Sequence, residues 1–238
     1  MAKVFLGVGH GGNDAGACAN GLKESAMNLV MATACYNELI RHGVQVKMSR
    51  TKEENDDLAE EIRECKAYNP DIAIDIHNNA GGGDGFEFIY SIFQNQTGGK
   101  DLRLGQLIEA EIKAIGQNSR GAKQRKDNST GRDYFGFIRE LPCPSIIVEG
   151  CFLDSNDRLI ADTEAKQKAF GVAYAKGILK YFGIGYKAPE SPVASSSTTA
   201  SGVMYRVVTG SFKNRANAEQ RIKELKAKGF DSFLEIKK

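Results

Sequence analysis

The amino-acid sequence predicts an α/β domain with a mixed, mostly parallel sheet covered by helices on both faces, followed by a small C-terminal βαβ unit. Two observations predict this fold class. Short apolar runs such as 4–8 and 72–76 alternate with longer segments of helical periodicity such as 22–42. Strands that alternate with helices of this length are typical of a sheet that is buried on both faces. A stretch rich in serine, threonine and proline then sets the last part of the chain apart.

The individual elements follow from apolar spacing and from glycine and proline breaks. Strands are predicted at 4–8, 44–48, 72–76, 85–92, 134–138 and 145–148. Helices are predicted at 22–42, 56–68, 102–115 and 164–182, and a basic loop at 120–132. In the tail, a strand at 205–212, a helix at 216–228 and a strand at 230–236 make one βαβ unit. Such a unit alone can barely bury a core.

Composition divides the chain into a domain at 1–185, a linker at 186–202 and a small unit at 203–238. The linker has two prolines, a cluster of small hydroxyl residues and no large apolar periodicity. From residue 187 onward there are ten Lys and Arg against five Asp and Glu. A basic tail on a mildly acidic body suggests that the tail meets an anionic or polyhydroxyl surface.

Composition also excludes several classes of protein. A hydrophobic content of 41% and a charged content of 26% describe an ordinary globular protein, and the net charge of +2 gives no reason to expect a nucleic-acid partner. No run approaches the roughly 18 apolar residues of a membrane span, and no signal peptide is recognisable. We therefore expect synthesis in the cytoplasm and no membrane partner. Five cysteines without a Cys-x-x-Cys pair indicate reduced, buried thiols.

Two of the three histidines lie where a predicted strand ends, which is where sites collect in α/β sheets. His10 lies in Gly-His-Gly-Gly after the first strand, and His77 lies in Asp-Ile-His-Asn-Asn-Ala. Zinc hydrolases need three His or carboxylate ligands and a nearby carboxylate that moves protons. Glu24 is the nearest acidic residue able to point back toward His10, and Glu149 ends the apolar run 145–148. These four residues are the candidate site.

Four ordered motifs resemble the zinc-dependent N-acetylmuramoyl-L-alanine amidases of the amidase-3 type over residues 3–182. They are Gly-His-Gly-Gly at 9–12, Gly-Leu-Lys-Glu at 21–24 followed by Asn-Leu at 28–29, Ile-His-Asn-Asn-Ala at 76–80, and Pro-Ser-Ile-Ile-Val-Glu-Gly-Cys-Phe at 144–152. The resemblance implies that His10, Glu24 and His77 hold Zn²⁺ and that Glu149 is catalytic. The implied reaction is hydrolysis of the amide between N-acetylmuramic acid and L-alanine in peptidoglycan. One departure is visible, because the family often has Asp-Pro-Gly where this chain has Gly-Val-Gly at 7–9.

The tail is similar to the sporulation-related repeat, or SPOR domain, over residues 204–238. That resemblance implies binding to the glycan strands of peptidoglycan. Such domains usually contain two βαβ units, whereas only one is predicted here. Two tails could therefore pair in a homodimer that rebuilds the full sheet.

Several alternatives are open at this stage. The chain could be a zinc peptidase that cuts the stem peptide, or a non-catalytic wall-binding protein that keeps zinc for structure. A thiol mechanism with Cys151 or Cys18 is disfavoured, since neither thiol has a context that would lower its pKa. The enzyme could be a phage endolysin or an autolysin, acting on the cell wall after its release.

Residues near the motifs also have ordinary interpretations. Asp75 and Asn79 could contact the metal ligands or cap a loop. Glu87 is expected on the solvent side of its strand, and His42 is expected to be a cation beside a helix C-terminus. The basic loop, with Arg120, Lys123, Arg125, Lys126 and Arg132, could hold carboxylates of the stem peptide or form a solvated rim.

Overall fold

The computed structural model describes residues 1–93, 97–189, 212 and 214–227, which fall into two compact units, Met1–Ala188 and Pro189–Lys238. The first unit contains a six-stranded sheet and a small hairpin. The strands of the sheet are β1 Lys3–Val8, β4 Gln45–Met48, β5 Ile72–Asn79, β6 Phe86–Ile89, β7 Ser119–Lys123 and β8 Ser145–Phe152, and the hairpin consists of β2 Cys18–Ala19 and β3 Leu22–Lys23. The order of the strands in the sheet is β4-β1-β5-β8-β6-β7. The first four strands in the sheet order run parallel, and β6 is antiparallel to β8. The predicted mixed, mostly parallel sheet is confirmed.

Six α-helices are described. They are α1 Glu24–Arg41, α2 Leu58–Tyr68, α3 Lys100–Ala114, α4 Gly136–Glu140, α5 Glu164–Tyr181 and α6 Arg215–Ala227. The ends follow from local chemistry. Asp57 and Thr163 accept hydrogen bonds from the backbone N–H groups three residues on and so cap the starts of α2 and α5. Asn69 adopts the left-handed conformation that ends α2.

The two faces of the sheet are covered unequally. On one face, α1, α3 and α5 bury a large core that includes Leu6, Ile74 and Val148. On the other face, α2 and α4 cover a much smaller cluster that includes Phe5, Ala73 and Ile147. Side chains alternate between the faces of a strand. Asp75, His77 and Glu149 follow Ala73 and Ile147 on the second face, beyond the small cluster.

Two sequence predictions of secondary structure are wrong. Residues 134–138 were predicted as a strand, but Gly136–Glu140 is a short helix whose Phe137 and Ile138 pack into the smaller cluster. A short apolar run does not distinguish a buried helix turn from a strand. The basic segment 120–132 was predicted as a loop, yet its first residues belong to β7, an edge strand.

The small hairpin was also missed, and it moves the start of the first helix. Leu22 and Lys23 were assigned to that helix, but they pair with Cys18 and Ala19, and the helix begins at Glu24. Cys35, Cys65 and Cys151 are buried as predicted, whereas Cys18 is exposed.

In the second unit, α6 agrees with the predicted helix at 216–228, and Ile222 and Leu225 are among its partly buried residues. The predicted tail strands at 205–212 and 230–236 lie outside the described residues apart from Phe212. In the part of the chain that the structure describes, no helix has the length and apolar character needed to cross a membrane.

Candidate metal centre and active site

His10 is placed by an unusual backbone conformation immediately after β1. Its φ of +62° lies in the left-handed region, which costs energy for a residue with a side chain. Two glycines leave room for the side chains of His10, Glu24 and His77. A Cβ at Gly9 would overlap the imidazole of His77, and a Cβ at Gly16 would lie 2.6 Å from both Glu24 Oε2 and His10 Cδ2. The glycine-rich sequence around His10 is therefore required for the close approach of three side chains.

His10, Glu24 and His77 form one compact group of possible metal ligands, with ligand atoms all within 4.8 Å of one another. Glu24 Oε1 lies 3.3 Å from His10 Nε2 and 3.0 Å from His77 Nδ1. The two imidazole rings meet edge to face with centroids 4.9 Å apart. Two imidazole nitrogens and one carboxylate converging in this way match the donor set of catalytic zinc sites.

The other nitrogen of each imidazole is next to an aspartate. His10 Nδ1 lies 2.8 Å from Asp14 Oδ2, and His77 Nε2 lies 3.2 Å from Asp75 Oδ2. Carboxylates in this position fix the tautomer and orientation of ligating histidines. Of the two interpretations left open for Asp75, contact with a candidate metal ligand is the one that the structure supports.

The carboxylate and the two imidazoles of the cluster shift one another's pKa values. Burial alone would raise the pKa of Glu24, but hydrogen bonds with His10 and His77 outweigh it and hold this pKa far below its usual range. The hydrogen bond with Glu24 raises the pKa of His10. For His77, burial lowers the pKa, but the charges of Asp75 and Glu149 and the hydrogen bonds with Asp75 and Glu24 together raise it well above 6.5. A carboxylate ligand must be ionised to bind a metal, and the low pKa of Glu24 favours that state.

Glu149 lies beside this group and has a different environment. It is the Cα partner of His77 in the parallel pairing of β5 with β8. Its Oε2 is buried and has no hydrogen-bond partner among the described residues. Burial, followed by the nearby negative charges of Glu24 and Glu87, raises the pKa of Glu149 to about 7 despite the opposing effect of His77. A carboxyl group with this pKa can accept and release a proton near neutral pH.

The four predicted site residues thus come together, but their places in the strands differ in detail from the prediction. His77 and Glu149 were expected at strand ends, whereas β5 continues to Asn79 and β8 continues to Phe152. Both strands continue beyond their apolar residues, because the residues that follow still pair with a neighbouring strand.

One further expectation is wrong. Glu87 was expected on the solvent side, but only 14% of its side chain is exposed, and it bonds to Asn79 Nδ2 and Arg120 Nε on the face that carries Glu149. His42 lies at the C-terminus of α1, where its Nδ1 is 2.7 Å from the Glu38 carbonyl oxygen and its Nε2 is 2.9 Å from the Lys187 backbone nitrogen.

Sequence reasoning missed Arg50, which stabilises the backbone next to two of the candidate ligands, His10 and Glu24. Its side chain is almost fully buried and donates to the carbonyl oxygens of Val8, Gly9 and Ser25. These carbonyls flank His10 and Glu24 in the sequence, so one guanidinium ties both ligand-bearing segments together. A lone arginine after a predicted strand carries no sequence signal for this role.

Two asparagines, Asn28 and Asn78, stabilise the same region from the side of the sheet that carries the large core. Asn28 donates to the carbonyl of Gly9 and accepts from Asn78 Nδ2, and Asn78 Oδ1 accepts from the Cys151 backbone N–H. The Asn78 backbone N–H donates to Glu24 Oε1. These hydrogen bonds fix helix α1 and the strands β5 and β8 relative to one another next to the site.

The thiol alternative finds no support in the site. Cys151 is fully buried, and burial raises its pKa to about 12, so the thiolate is not accessible near neutral pH. Cys18 is exposed on the hairpin. His10 and His77 face Glu24 and their aspartates rather than a sulfur.

The fold and the site are those expected of a hydrolase, with a candidate metal-binding group of two histidines and one glutamate and an adjacent protonatable carboxylate. The N-acetylmuramoyl-L-alanine amidase family model matches residues 4–180, and the chain belongs to this family. The SPOR domain model matches residues 183–234, which confirms the resemblance seen in the tail.

Curated relatives agree with the family. The chain is 30% identical to the N-acetylmuramoyl-L-alanine amidase CwlM of Bacillus licheniformis, with 98% of this chain and 85% of that protein covered. It is 31% identical to the sporulation-specific N-acetylmuramoyl-L-alanine amidase of Bacillus subtilis (strain 168), with 100% and 86% covered. It is 29% identical to the endolysin of Bacillus phage SPP1, with 86% and 75% covered.

Among solved structures, the chain is similar to Cwp6 from Clostridium difficile with a TM-score of 0.72 and 30% identity. The match covers 76% of this chain and 29% of that one. The predicted fold class is confirmed by this likeness and by the observed sheet.

Proposed function

We propose that His10, Glu24 and His77 hold Zn²⁺ and that Glu149 is the proton-transfer residue in hydrolysis of the amide between N-acetylmuramic acid and L-alanine. The observation that carries the proposal is the convergence of His10, Glu24 and His77, whose ligand atoms all lie within 4.8 Å of one another. Glu24 Oε1 is 3.3 Å from His10 Nε2 and 3.0 Å from His77 Nδ1. The donor set fits zinc, because imidazole nitrogen and carboxylate oxygen are its usual ligands in hydrolases. When bound, the ion supplies Lewis-acid polarisation of the scissile carbonyl and activation of water.

The chain's own residues supply the remaining steps. Asp14 and Asp75 hold the distal nitrogens of the two histidines, so that the other nitrogen of each ring faces Glu24. Glu149, with its pKa raised by burial, takes a proton from the attacking water. It then passes that proton to the nitrogen of the departing L-alanine, because an amine leaves more readily than an amide anion.

The substrate of the family is peptidoglycan, so the enzyme acts on the bacterial cell wall. The SPOR segment supports a glycan-binding role for the tail, with the linker at 186–202 allowing it to bind at a distance from the catalytic domain. We further propose that the tail at 203–238, which the sequence predicts as one βαβ unit, pairs with a second copy. Sedimentation of the full chain tests this: a concentration-dependent dimer is expected, and a monomer that still binds wall glycan through its tail would contradict it.

Two experiments test the proposed chemistry. Removal of metal with a chelator should abolish release of wall peptides, and added Zn²⁺ should restore it. Mass spectrometry of the products distinguishes amidase from stem-peptide peptidase, since an amidase leaves peptides with a free N-terminal alanine and muramic acid with a free lactyl carboxyl. Products cut within the peptide would assign the site to the peptidase alternative. Stoichiometric zinc without any cleavage would assign it to the wall-binding alternative.

A further inference from the structure

A bulge in the edge strand β7 directs an arginine toward the active-site face. Phe86 pairs with Ser119 but Glu87 pairs with Gly121, so Arg120 is the extra residue. Gly121 has a φ of +76°, a conformation that suits glycine. Bulges re-aim side chains, and they occur often beside active sites. Here the bulge turns the Arg120 side chain to the face that carries Glu87.

The guanidinium of Arg120 contacts two residues of the domain, Glu87 and Phe152. Its Nε donates to Glu87 Oε2 at 2.8 Å, and its centre lies 5.1 Å from the ring centroid of Phe152. Glu87 is itself oriented by Asn79, which donates to Glu87 Oε1 at 3.1 Å. No described residue accepts a hydrogen bond from the two terminal nitrogens of Arg120, and 43% of the side chain is exposed. A planar guanidinium fixed in this way presents a ready pair of donors to a carboxylate.

The position of Arg120 on β7 places its guanidinium within reach of a substrate bound next to Glu149. Glu87 lies directly opposite Glu149 in the antiparallel pairing of β6 with β8. Strand β7, which bears Arg120, is two strand spacings from β8, or about 10 Å. An extended peptide advances about 3.3–3.6 Å per residue. A group bound by Arg120 would therefore be roughly two or three residues from the bond that Glu149 helps to cleave.

The chemistry of the substrate determines which side of that bond meets the arginine. The carboxyl group of muramic acid is consumed in the scissile amide, so that free carboxylates close to the bond belong to the peptide. We propose that Arg120, positioned by Glu87 and Phe152, is the specificity residue that binds a free carboxylate of the stem peptide just beyond its first alanine. This inference rests on the amidase function proposed above.

The test compares two muramyl peptides that differ in one group. One carries a free carboxylate on the residue after L-alanine, and the other carries a carboxamide there. The wild-type enzyme should have the lower KM for the carboxylate. In Arg120→Ala the KM for the carboxylate substrate should rise about tenfold or more, since a charge-assisted bond to a carboxylate is lost. The KM ratio between the two substrates should then fall toward one.

Matched variants separate recognition from other roles. Lys126→Ala removes a positive charge from an exposed residue of the same basic segment and should keep the wild-type KM ratio. Arg120→Lys keeps the charge without the fork of donors and should fall between wild type and Arg120→Ala; it also serves if Arg120→Ala does not fold. Equal losses on both substrates, or a loss in kcat alone, would overturn the proposal and assign Arg120 to neutralising Glu87. A wild-type enzyme inactive on both substrates would instead contradict the amidase function.

Discussion

Glu149 and His77 lie side by side on adjacent parallel strands, and this pairing places the proposed proton-transfer residue next to the candidate metal ligands. The register is fixed by the apolar pairs that precede it, in which Ile74 meets Ile146 and Ile76 meets Val148. Because side chains alternate along a strand, these apolar pairs face the large core and the functional pair faces the opposite side. A slip of β8 by one residue would turn Glu149 toward the core.

Removal of Asp75 should weaken metal binding without removing a ligand. Asp75 Oδ2 contacts the nitrogen of His77 that faces away from Glu24, so Asp75→Ala frees the imidazole to rotate. We expect zinc affinity to fall about 10–100-fold. Competition with a chromogenic chelator measures this. Asp14→Ala is the matched variant for His10 and should act in the same direction. Wild-type affinity in both variants would show that the aspartates do not orient the ligands.

Gly9→Ala should disrupt the metal site by sterics alone. The added methyl group would overlap the ring of His77, which must move away from Glu24. We expect loss of bound zinc and activity in metal analysis of the purified protein. Gly185→Ala is the control, because a Cβ there meets no atom within 4 Å and the residue has no positive φ. A Gly9→Ala protein with a full complement of zinc would show that His77 need not occupy the observed position.

Arg50→Ala should be among the most destabilising substitutions in the first unit. It removes donors from three carbonyl oxygens, those of Val8, Gly9 and Ser25, in a buried setting. The expected loss in the free energy of unfolding is about 3 kcal/mol or more. Urea denaturation of the metal-free protein measures it. A loss below about 0.5 kcal/mol, the range of ordinary surface substitutions, would contradict the bracing role.

Glu149 should make the metal-free protein less stable as the pH rises. Its folded-state pKa of about 7 lies above the ordinary value of 4.5, so the folded state retains a proton that the unfolded state has released. Its stabilising contribution is present below about pH 4.5 and is lost as the pH rises through 7. Glu149→Gln removes this dependence and should therefore stabilise the protein at pH 8 relative to pH 5, by about 1–3 kcal/mol. Thermal unfolding at both pH values checks the sign; equal effects at pH 5 and pH 8 would contradict it.

The sequence was sufficient to predict the sheet class and to select four candidate site residues that the fold brings together, for identifiable reasons. Buried parallel strands are apolar runs, and His10 and His77 each follow one directly. The short helix at 136–140 could not be recognised, because its apolar residues are too few to show a period. The role of Arg50 depends on carbonyl groups that only the tertiary fold brings together.

The placement of Glu87 was missed for a related reason. Its strand alternates Phe86, Glu87, Phe88, and such a pattern normally indicates a solvated polar face. Here that face is turned toward Asn79, Arg120 and the neighbouring Glu149 instead of bulk water. Periodicity identifies which residues share a face, but it does not reveal what covers that face.

The most direct measurement is to determine zinc content and amide hydrolysis together for Glu149→Ala. Glu149 is not among the three converging ligands, so the variant should bind one zinc ion as the wild type does. Its kcat for release of peptide from muramic acid should fall about 10²–10⁴-fold, because the proton-transfer group is gone. Full activity in the zinc-loaded variant, or loss of zinc along with activity, would contradict the separate roles of the ligand group and Glu149.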